Sequence, residues 1–331
     1  MSTADLPEAL SPLPRHFARL RGAGAPCQLK TMRHIIPGRP NFYTGGRLDR
    51  AGHLRNDAAW LERAMADPAS RFTLYWRGKA LIAGDDAPRA ALLARPAVEA
   101  PWVFLGLQEQ IPVFALDVSA LEDPLAVLEA QSGAFADLRT LAALLPADDA
   151  TILATARGML HWRATNAFCP SCGAAARPTR GGYVLECTNC GTEHFPRTDA
   201  AVIMLVTDGE RLLLGQSHKF PVDSNFYSTL AGFVEPGESL EDAVRREVFE
   251  EVGVRIGEVG YHSSQPWPFP ASLMVGYYAE ALTTEIVLEE SEMRAARWFS
   301  RADIANREAL GFSLPPQSSI ARRLIEDWLA G

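Results

Sequence analysis

Residues 232–254 constrain the fold more than any other stretch, because a glycine loop, a helix cap and a cluster of carboxylates coincide there. Ser239 can cap a helix, and Asp242 three residues later completes an acidic version of the capping box. The helix is therefore predicted to begin at Leu240. Gly253 stands where a left-handed residue would end it.

Three glutamates are packed into one turn of this predicted helix. Glu247 and Glu251 lie four residues apart and so project on one side, with Glu250 beside them. These like charges repel, whereas Mg²⁺ or Mn²⁺ would take the carboxylate oxygens and complete its shell with water and phosphate oxygens. Arg246 is predicted to reach Glu238 and to hold the loop against the helix. The alternative is a solvated acidic helix face that binds no metal.

The segment resembles the Nudix hydrolase family, whose pattern is G-x5-E-x7-R-E-U-x-E-E-x-G-U with U an aliphatic residue. Every fixed position is filled, by Gly232, Glu238, Arg246, Glu247, Glu250, Glu251, Gly253 and Val254. The resemblance implies an α+β fold built on an α/β/α sandwich with a mixed sheet. It implies metal coordination by Glu247 and Glu251, and a ligand or base role for Glu250. Arg246 would belong to the catalytic set, and the Ala231 carbonyl would be a further ligand of the Mg²⁺ or Mn²⁺.

A second run, residues 264–274, contains three prolines that remove backbone donors and fix φ. We therefore predict that its middle is neither strand nor helix, but a stiff loop that displays Trp267 and Phe269. Aromatic faces with placed hydrogen-bonding groups suit a nucleotide ligand. The alternative is a proline-rich connector whose aromatic side chains enter the core.

This run resembles the S-Q-P-W-P-F-P-x-S signature of the NADH pyrophosphatase subfamily, in which a four-cysteine zinc ribbon also precedes the Nudix domain. The resemblance implies hydrolysis of NADH or NAD to nicotinamide mononucleotide and AMP, and removal of the NAD cap from the 5′ end of RNA. It implies Glu292 as an added metal ligand. The residues implied to contact substrate are Phe195, Phe233, Gln265, Pro266, Trp267, Pro268, Phe269, Pro270, Ala271, Ser272, Ala321 and Arg139. Gly182 departs from the pattern, because it falls where a relative has a substrate-contacting glutamate.

Two other function classes stay open. A broader Nudix hydrolase of ADP-ribose or dinucleoside polyphosphates fits the carboxylate helix but not the proline-aromatic run. A non-catalytic module that holds nucleotides or RNA would fit a degenerate Nudix fold. The intact Glu247, Glu250 and Glu251 argue against that module.

Four cysteines form two C-x2-C knuckles, made by Cys169, Cys172, Cys187 and Cys190. Their spacing is typical of a four-thiolate Zn²⁺ site. Four thiolates close a tetrahedral shell, so we expect one structural zinc ion per chain. His194 is predicted to be a surface or pocket residue rather than a ligand, and Cys27 to be a free thiol. An alternative makes the ribbon an RNA-binding knuckle that uses the surrounding Arg177, Arg180 and Arg197.

The 331 residues indicate more than one domain. We predict an N-terminal α+β domain with an irregular lead-in over 1–164, a zinc ribbon over 165–196 and a Nudix catalytic domain over 197–331. Strands are predicted within 71–82, 102–118, 183–185, 200–205 and 211–214, and helices over 124–145, 150–163 and 319–329. Arg322 and Arg323 are predicted to lie off the apolar stripe of the last helix. No internal repeat is visible in the sequence.

The formal net charge of −8 disfavours broad electrostatic capture of nucleic acid, so an anionic substrate must be met locally by metal ions and a few arginines. No run is long enough to span a membrane, and residues 1–26 lack the apolar core of a signal peptide. We therefore expect a cytoplasmic protein without a membrane partner. Gly22 and Gly24 lack the strand and helix context of a dinucleotide-binding motif. The subfamily resemblance also implies a homodimer.

Overall fold

The computed structural model describes residues 39–84, 86–127, 133–221 and 225–331. The predictions for the irregular lead-in, for Cys27 and for Gly22 and Gly24 lie outside the described residues. Within the described ranges, no helix is long and apolar enough to cross a membrane.

An N-terminal mixed sheet is built from β1 (Arg71–Trp76), β2 (Lys79–Ala83), β3 (Arg89–Ala90), β4 (Trp102–Gln108), β5 (Ile111–Asp117) and β6 (Ala134–Ala136). Its helices are α1 (Ala58–Ala66), α2 (Pro124–Val127), α3 (Leu138–Leu141) and α4 (Ala147–Thr165), and a 3₁₀ turn spans Gly52–Asn56. The strand order is β3-β2-β1-β5-β4, with β6 also paired to β2. Strands β1 and β5 are parallel, and the other pairs are antiparallel.

The two faces of this sheet are covered by different helices. Ile152 of α4 packs on one face with Leu105 and Val113. Leu61 of α1 packs on the other face with Phe104. The predicted helix over 150–163 is thus confirmed, and it begins three residues earlier than expected, after Pro146 as the N-cap.

The single helix predicted over 124–145 is wrong, because α2, β6 and α3 occupy this stretch instead. Gly133 has a φ of +158°, and a Cβ there would approach the Ile82 carbonyl of β2 to 2.6 Å. The chain after Gly133 pairs with β2, and Asp137 then caps α3 by accepting from the Arg139 amide at 2.9 Å. The Ala- and Leu-rich composition favours one helix. Pairing of β6 with β2 and the cap at Asp137 instead divide the segment into shorter elements.

A three-stranded antiparallel ribbon follows, with β7 (Ala176–Thr179), β8 (Val184–Cys187) and β9 (Glu193–His194) in the order β7-β8-β9. The C-terminal sheet contains β10 (Asp199–Thr207), β11 (Arg211–Ser217), β12 (Leu230–Phe233), β13 (Ile256–Trp267), β14 (Ser272–Ala281) and β15 (Met293–Ser300). Its helices are α5 (Leu240–Val252), α6 (Arg301–Ala305) and α7 (Ile320–Ala330).

The C-terminal sheet has the order β13-β14-β10-β11-β15, and β12 pairs with β10. Strands β10 and β14 are parallel, so the sheet is mixed. Met204 of β10 packs with Val248 of α5 on one face. Its neighbour Leu205 packs with Leu324 of α7 on the other. The predicted α/β/α sandwich is therefore confirmed.

Local signals place the carboxylate helix as expected. Helix α5 begins at Leu240, and the Ser239 side chain accepts from the Asp242 amide at 3.1 Å. Gly253 follows its last residue with a φ of +70°, the left-handed conformation that favours glycine.

The proline-aromatic run departs from its prediction. Strand β13 continues through Pro266 to Trp267, and Pro266 lies opposite Leu273 of β14. Proline is tolerated here because β13 is at the edge of the sheet, where one side of the strand needs no partner. The turn is thus confined to residues 268–271.

The last helix confirms its predicted position, but one of the two arginines predicted to lie off its apolar stripe is buried. Arg323 is buried, and its guanidinium donates to Asn41 Oδ1 at 2.9 Å. The same side chain donates to Asp327 at 3.3 Å. The pattern of the helix did not reveal this burial, because the polar partner of Arg323 is Asn41, which lies far from it in the sequence.

Candidate active site

Arg246 fixes the glycine loop against helix α5. Its Nε and Nη2 atoms donate to the two carboxylate oxygens of Glu238 at 2.7 and 2.9 Å. Nη2 also donates to the Phe233 carbonyl at 2.9 Å. Nη1 donates to Glu247 at 2.8 Å and to Glu250 at 2.9 Å. The predicted contact with Glu238 is therefore present as a bidentate pair, the geometry in which arginine is most specific.

Glu251 lies at the buried end of the carboxylate cluster, with 7% of its surface exposed. Its Oε2 atom has no hydrogen-bond partner among the described residues. Burial, followed by repulsion from Glu247 and Glu292, raises the pKa of Glu251 to about 8. Burial also raises the pKa of Glu247, although Arg246 opposes this. Carboxylates whose ionisation is opposed by burial and by one another would be stabilised by a cation.

Strand β12 passes close to these carboxylates. A Cβ at Gly232 would collide with the carboxylate of Glu247, so only glycine leaves room for that side chain. Ala231 precedes it in β12 and pairs with Ile203 of β10. The close approach of the strand to Glu247 and the unpartnered oxygen of Glu251 fit a site for a hard divalent cation.

An exposed aromatic side chain borders a pocket next to the glycine loop. Phe233 is 59% exposed and lines a space of about 540 Å³ together with Arg197, Asp199 and Val234. Phe195 is 58% exposed, but it is not among the residues that line this pocket. An exposed ring beside a pocket can stack on a base.

A second pocket, of about 250 Å³, separates the proline-aromatic turn from helix α4. Trp267, Pro268 and Ser272 line one side, and Thr155 and Gly158 of α4 line the other. Pro266 and Ala271 also border it, whereas Gln265, Phe269 and Pro270 do not. The structure thus brings five of the predicted substrate-contacting residues of this run to one pocket. Phe269 instead packs toward the N-terminal sheet, as the connector alternative expects.

Gln265 is fully buried, and its side chain is bonded to protein groups. Its Nε2 atom donates to the carbonyls of Ser318 and Phe42, at 2.8 and 3.3 Å. Its Oε1 atom accepts from the Ile320 amide at 2.8 Å. This geometry holds the start of α7 against β13 and gives no support to the predicted substrate contact by the Gln265 side chain.

Two further predicted residues, Ala321 and Arg139, and the departure at Gly182 lie away from both pockets. Ala321 is buried in the core beneath α7. Arg139 pairs with Asp137 at 3.1 Å and stacks 5.2 Å above the Phe269 ring. Gly182 has a φ of +89°, and a Cβ there would lie 3.1 Å from the Val103 side chain. A glutamate at this position would be strained by the left-handed backbone and crowded by Val103.

The four ribbon cysteines converge on one point. Their Sγ atoms all lie within 4.8 Å of one another, and pairs stand 3.4 to 3.8 Å apart. Hydrogen bonds, first from Thr192, lower the pKa of Cys190 to about 6 and so favour the thiolate that binds metal. Cys169, Cys172, Cys187 and Cys190 therefore fit a closed tetrahedral zinc shell. His194 contacts Cys169 Sγ through Nε2 at 3.3 Å, so it lies beside this shell.

The arginines around the ribbon are all ion-paired. Arg177 meets Glu186 at 3.1 Å, Arg180 meets Glu193 at 2.7 Å, and Arg197 meets Asp199 at 2.9 Å. Each positive charge is thus offset by a neighbouring carboxylate. This pairing weakens the alternative in which the ribbon captures RNA by charge.

Comparison with known proteins finds three families that match successive parts of the chain. Residues 69–162 match an NADH pyrophosphatase-like rudimentary NUDIX domain, residues 164–195 an NADH pyrophosphatase zinc ribbon domain, and residues 196–319 a NUDIX domain. The NAD-capped RNA hydrolase of Schizosaccharomyces pombe is 32% identical, and the match covers 90% of this chain and 97% of the relative. The chain belongs to the Nudix hydrolase family.

Two other relatives place it in the same branch of that family. The NAD-capped RNA hydrolase NudC of Deinococcus radiodurans is 37% identical over 80% of this chain and 89% of its own length. The NAD-capped RNA hydrolase NUDT12 of Homo sapiens is 34% identical over 87% of this chain and 73% of its own length. This Nudix hydrolase therefore carries the zinc ribbon and the additional N-terminal sheet as parts of its family architecture.

Sequence reasoning did not identify helix α4 as a contributor to the second pocket. Thr155 and Gly158 line the second pocket, and Arg157 between them contacts the proline-aromatic turn. Arg50 also borders this pocket. No local pattern marks these residues, because their role depends on packing between two sheets that are far apart in the sequence.

Proposed function

We propose that the protein hydrolyses the pyrophosphate bond of NADH or NAD to nicotinamide mononucleotide and AMP, and that it removes the NAD cap from RNA. The observation that carries this proposal is the buried, unpartnered carboxylate oxygen of Glu251 within a cluster of glutamates around helix α5, whose Arg246 donates to the Phe233 carbonyl. The names of the relatives support the choice of substrate.

The carboxylates would hold Mg²⁺ or Mn²⁺. Glu247, Glu251 and Glu292 are the mutually repelling set, and the Ala231 carbonyl would complete the protein ligands. When bound, such ions neutralise the pyrophosphate and activate water. Arg246 keeps Glu247 oriented through the 2.8 Å bond.

Glu250 differs from the other glutamates by its exposure. Its side chain is 57% exposed and bonds to Arg246 at 2.9 Å. It therefore reaches solvent while its position is fixed, and we assign it the acceptance of a proton from the attacking water. Phe233 and Phe195 would stack on the bases of the dinucleotide.

We also propose the division into residues 1–164, 165–196 and 197–331, with one structural Zn²⁺ per chain and a homodimeric assembly. The ranges of the three matching families support the division. The dimer rests on the family resemblance, and analytical ultracentrifugation tests it. A monomer at micromolar concentration would contradict it.

The decisive assay incubates the protein with NADH and Mg²⁺ or Mn²⁺ and separates the products by chromatography. We expect AMP and reduced nicotinamide mononucleotide, with NADH preferred to ADP-ribose. RNA carrying a 5′ NAD should yield a 5′ monophosphate under the same conditions. Hydrolysis of ADP-ribose with NADH untouched would favour the broader Nudix activity instead.

Chelation separates the two kinds of metal. Mild EDTA treatment should abolish hydrolysis, because carboxylate-bound ions exchange readily, whereas about one zinc per chain should stay in the closed thiolate shell. Elemental analysis before and after treatment measures this. Protein that contains no zinc before chelation would contradict the assignment of the ribbon.

A further inference from the structure

The turn after β13 is held by the N-terminal part of the chain. Tyr43 meets the rings of Trp267 and Phe269 edge-on, with centroids 6.4 and 6.1 Å away. The Trp267 and Phe269 rings also meet each other edge-on, with their centroids 5.2 Å apart. Both pack against the hydrophobic core that α4 shares with the N-terminal sheet. The turn is therefore supported from outside the catalytic sheet.

Arg157 of α4 makes three contacts at this junction. Its Nε atom donates to the Pro268 carbonyl at 2.8 Å. Its guanidinium lies 4.8 Å from the centre of the Phe269 ring. Nη1 donates to the Gly78 carbonyl in the turn between β1 and β2. A charged donor to a carbonyl and a cation over an aromatic ring are both favourable contacts, and here one side chain supplies them together.

These contacts act on a wall of the second pocket. Pro268, which carries the bonded carbonyl, and Trp267 before it line the pocket, while Thr155 and Gly158 on either side of Arg157 line the facing wall. The width of the pocket is thus set by how closely the turn is held to α4. Loss of the Arg157 contacts would loosen the turn without touching the carboxylate cluster.

We propose that Arg157 is a positioning residue that fixes the 268–271 turn against the N-terminal sheet and thereby sets the affinity for the dinucleotide. The inference rests on the proposed function, because it takes the second pocket as part of the substrate site. The N-terminal sheet would then hold in place the 268–271 turn, which forms one wall of the second pocket.

The same helix supplies a matched control. Arg163 is also an arginine of α4 that donates to a backbone carbonyl, that of Trp102, but this carbonyl belongs to the N-terminal sheet itself. Arg163→Met therefore removes a comparable bond at a distance from the turn. Arg157→Lys keeps the positive charge but cannot supply the planar group that serves the carbonyl and the ring together.

The test measures steady-state hydrolysis of NADH by Arg157→Met, Arg157→Lys and Arg163→Met. For Arg157→Met we expect KM to rise about tenfold, the scale of one charged hydrogen bond and one cation–π contact. The kcat should stay within about twofold, since the carboxylate cluster is intact. Arg157→Lys should fall between wild type and Arg157→Met, and Arg163→Met should keep the wild-type KM.

A second measurement does not depend on substrate. Hydrogen exchange of the peptide over residues 264–276 should be faster in Arg157→Met than in wild type or Arg163→Met. Unchanged exchange and unchanged KM in a folded Arg157→Met would overturn the positioning role. If exchange rises in this peptide of Arg157→Met but the wild type does not hydrolyse NADH, Arg157 does position the turn and the proposed substrate is wrong. Equal losses in Arg157→Met and Arg163→Met would show that α4 only stabilises the fold.

Discussion

The N-terminal and C-terminal sheets share the order of five strands but differ in one helix. The order β4-β5-β1-β2-β6 in the first sheet corresponds to β13-β14-β10-β11-β15 in the second. In each, the first and fifth of its six strands form the parallel pair. Each sheet is followed by a helix that covers one face, α4 in the first and α7 in the second.

The difference lies between the third and fourth strands. The C-terminal sheet places α5 there, with its glutamates, whereas residues 91–101 of the N-terminal sheet contain no helix. The other face of the N-terminal sheet is covered by α1, which precedes the first strand. Only the C-terminal sheet therefore carries the carboxylate helix, whereas the N-terminal sheet contributes packing surface and the α4 wall of the second pocket.

The strongest test of this comparison removes one charge from α5. We expect Glu251→Gln to lower kcat for NADH by about 10²- to 10³-fold, because a metal ligand that stabilises developing charge is lost. Glu241→Gln, on the exposed first turn of the same helix, should remain near wild type. Hydrolysis assays on both folded variants decide, and substantial activity in Glu251→Gln would end the ligand assignment.

A second test moves Glu247 without changing its charge. The Cβ of Gly232→Ala would collide with the Glu247 carboxylate, so that side chain must shift. Displacement of a reacting group by about 1 Å costs up to about 10²-fold in rate, and we expect a loss of about ten- to hundredfold. The control is Gly52→Ala, where a Cβ meets no atom within 4 Å and the backbone is not left-handed. Normal kcat in Gly232→Ala would show that the contact is irrelevant to catalysis.

A third test asks whether the Gln265 side chain binds substrate or holds the start of α7 against β13. Gln265→Leu leaves the Ile320 amide and the Ser318 carbonyl without their partner. We expect the free energy of unfolding to fall by about 2 to 4 kcal/mol, with KM for NADH within about twofold of wild type. The exposed Gln317→Leu serves as control. A raised KM at unchanged stability would instead restore the predicted substrate contact.

The smallest expected effect is on stability in metal-free buffer. Burial raises the pKa of Glu251 to about 8, above its usual 4.5, so the folded state favours the protonated form. The resulting stability is present below pH 4.5 and is lost as pH rises toward 8. Glu251→Gln should therefore melt a few degrees above wild type at pH 8 and close to it at pH 5. Equal melting differences at both pH values would argue against a buried ionised Glu251.

The elements predicted well from sequence are those with local signals. Helix α5 follows from the cap at Ser239 and the stop at Gly253, which lie within the helix's own neighbourhood. The zinc cysteines follow from spacing alone. By contrast, β6 depends on pairing with β2, and the burial of Gln265 depends on residues more than 50 positions away. Such partners leave no trace in a local pattern.

The repeated sheet was also invisible in the sequence. Apolar residues on alternating faces suffice to build either sheet, so the two copies share packing requirements rather than particular residues. The pocket residues from α4 were missed for the same reason, since Thr155 and Gly158 become informative only when the turn of the other sheet stands opposite them.

The bond between Arg323 and Asn41 has a consequence for how the protein is made. The two residues are separated by 282 positions, and Asn41 also donates to Ser263 Oγ and to the Ser264 carbonyl. Synthesis proceeds from the N-terminus, so the ribosome releases Asn41 long before its partner emerges. A nascent chain can therefore assemble its first sheet early but cannot close this junction until α7 has left the exit tunnel. A ribosome-stalled chain that ends before residue 320 should accordingly leave the segment around Asn41 open to protease, although the N-terminal sheet is already folded.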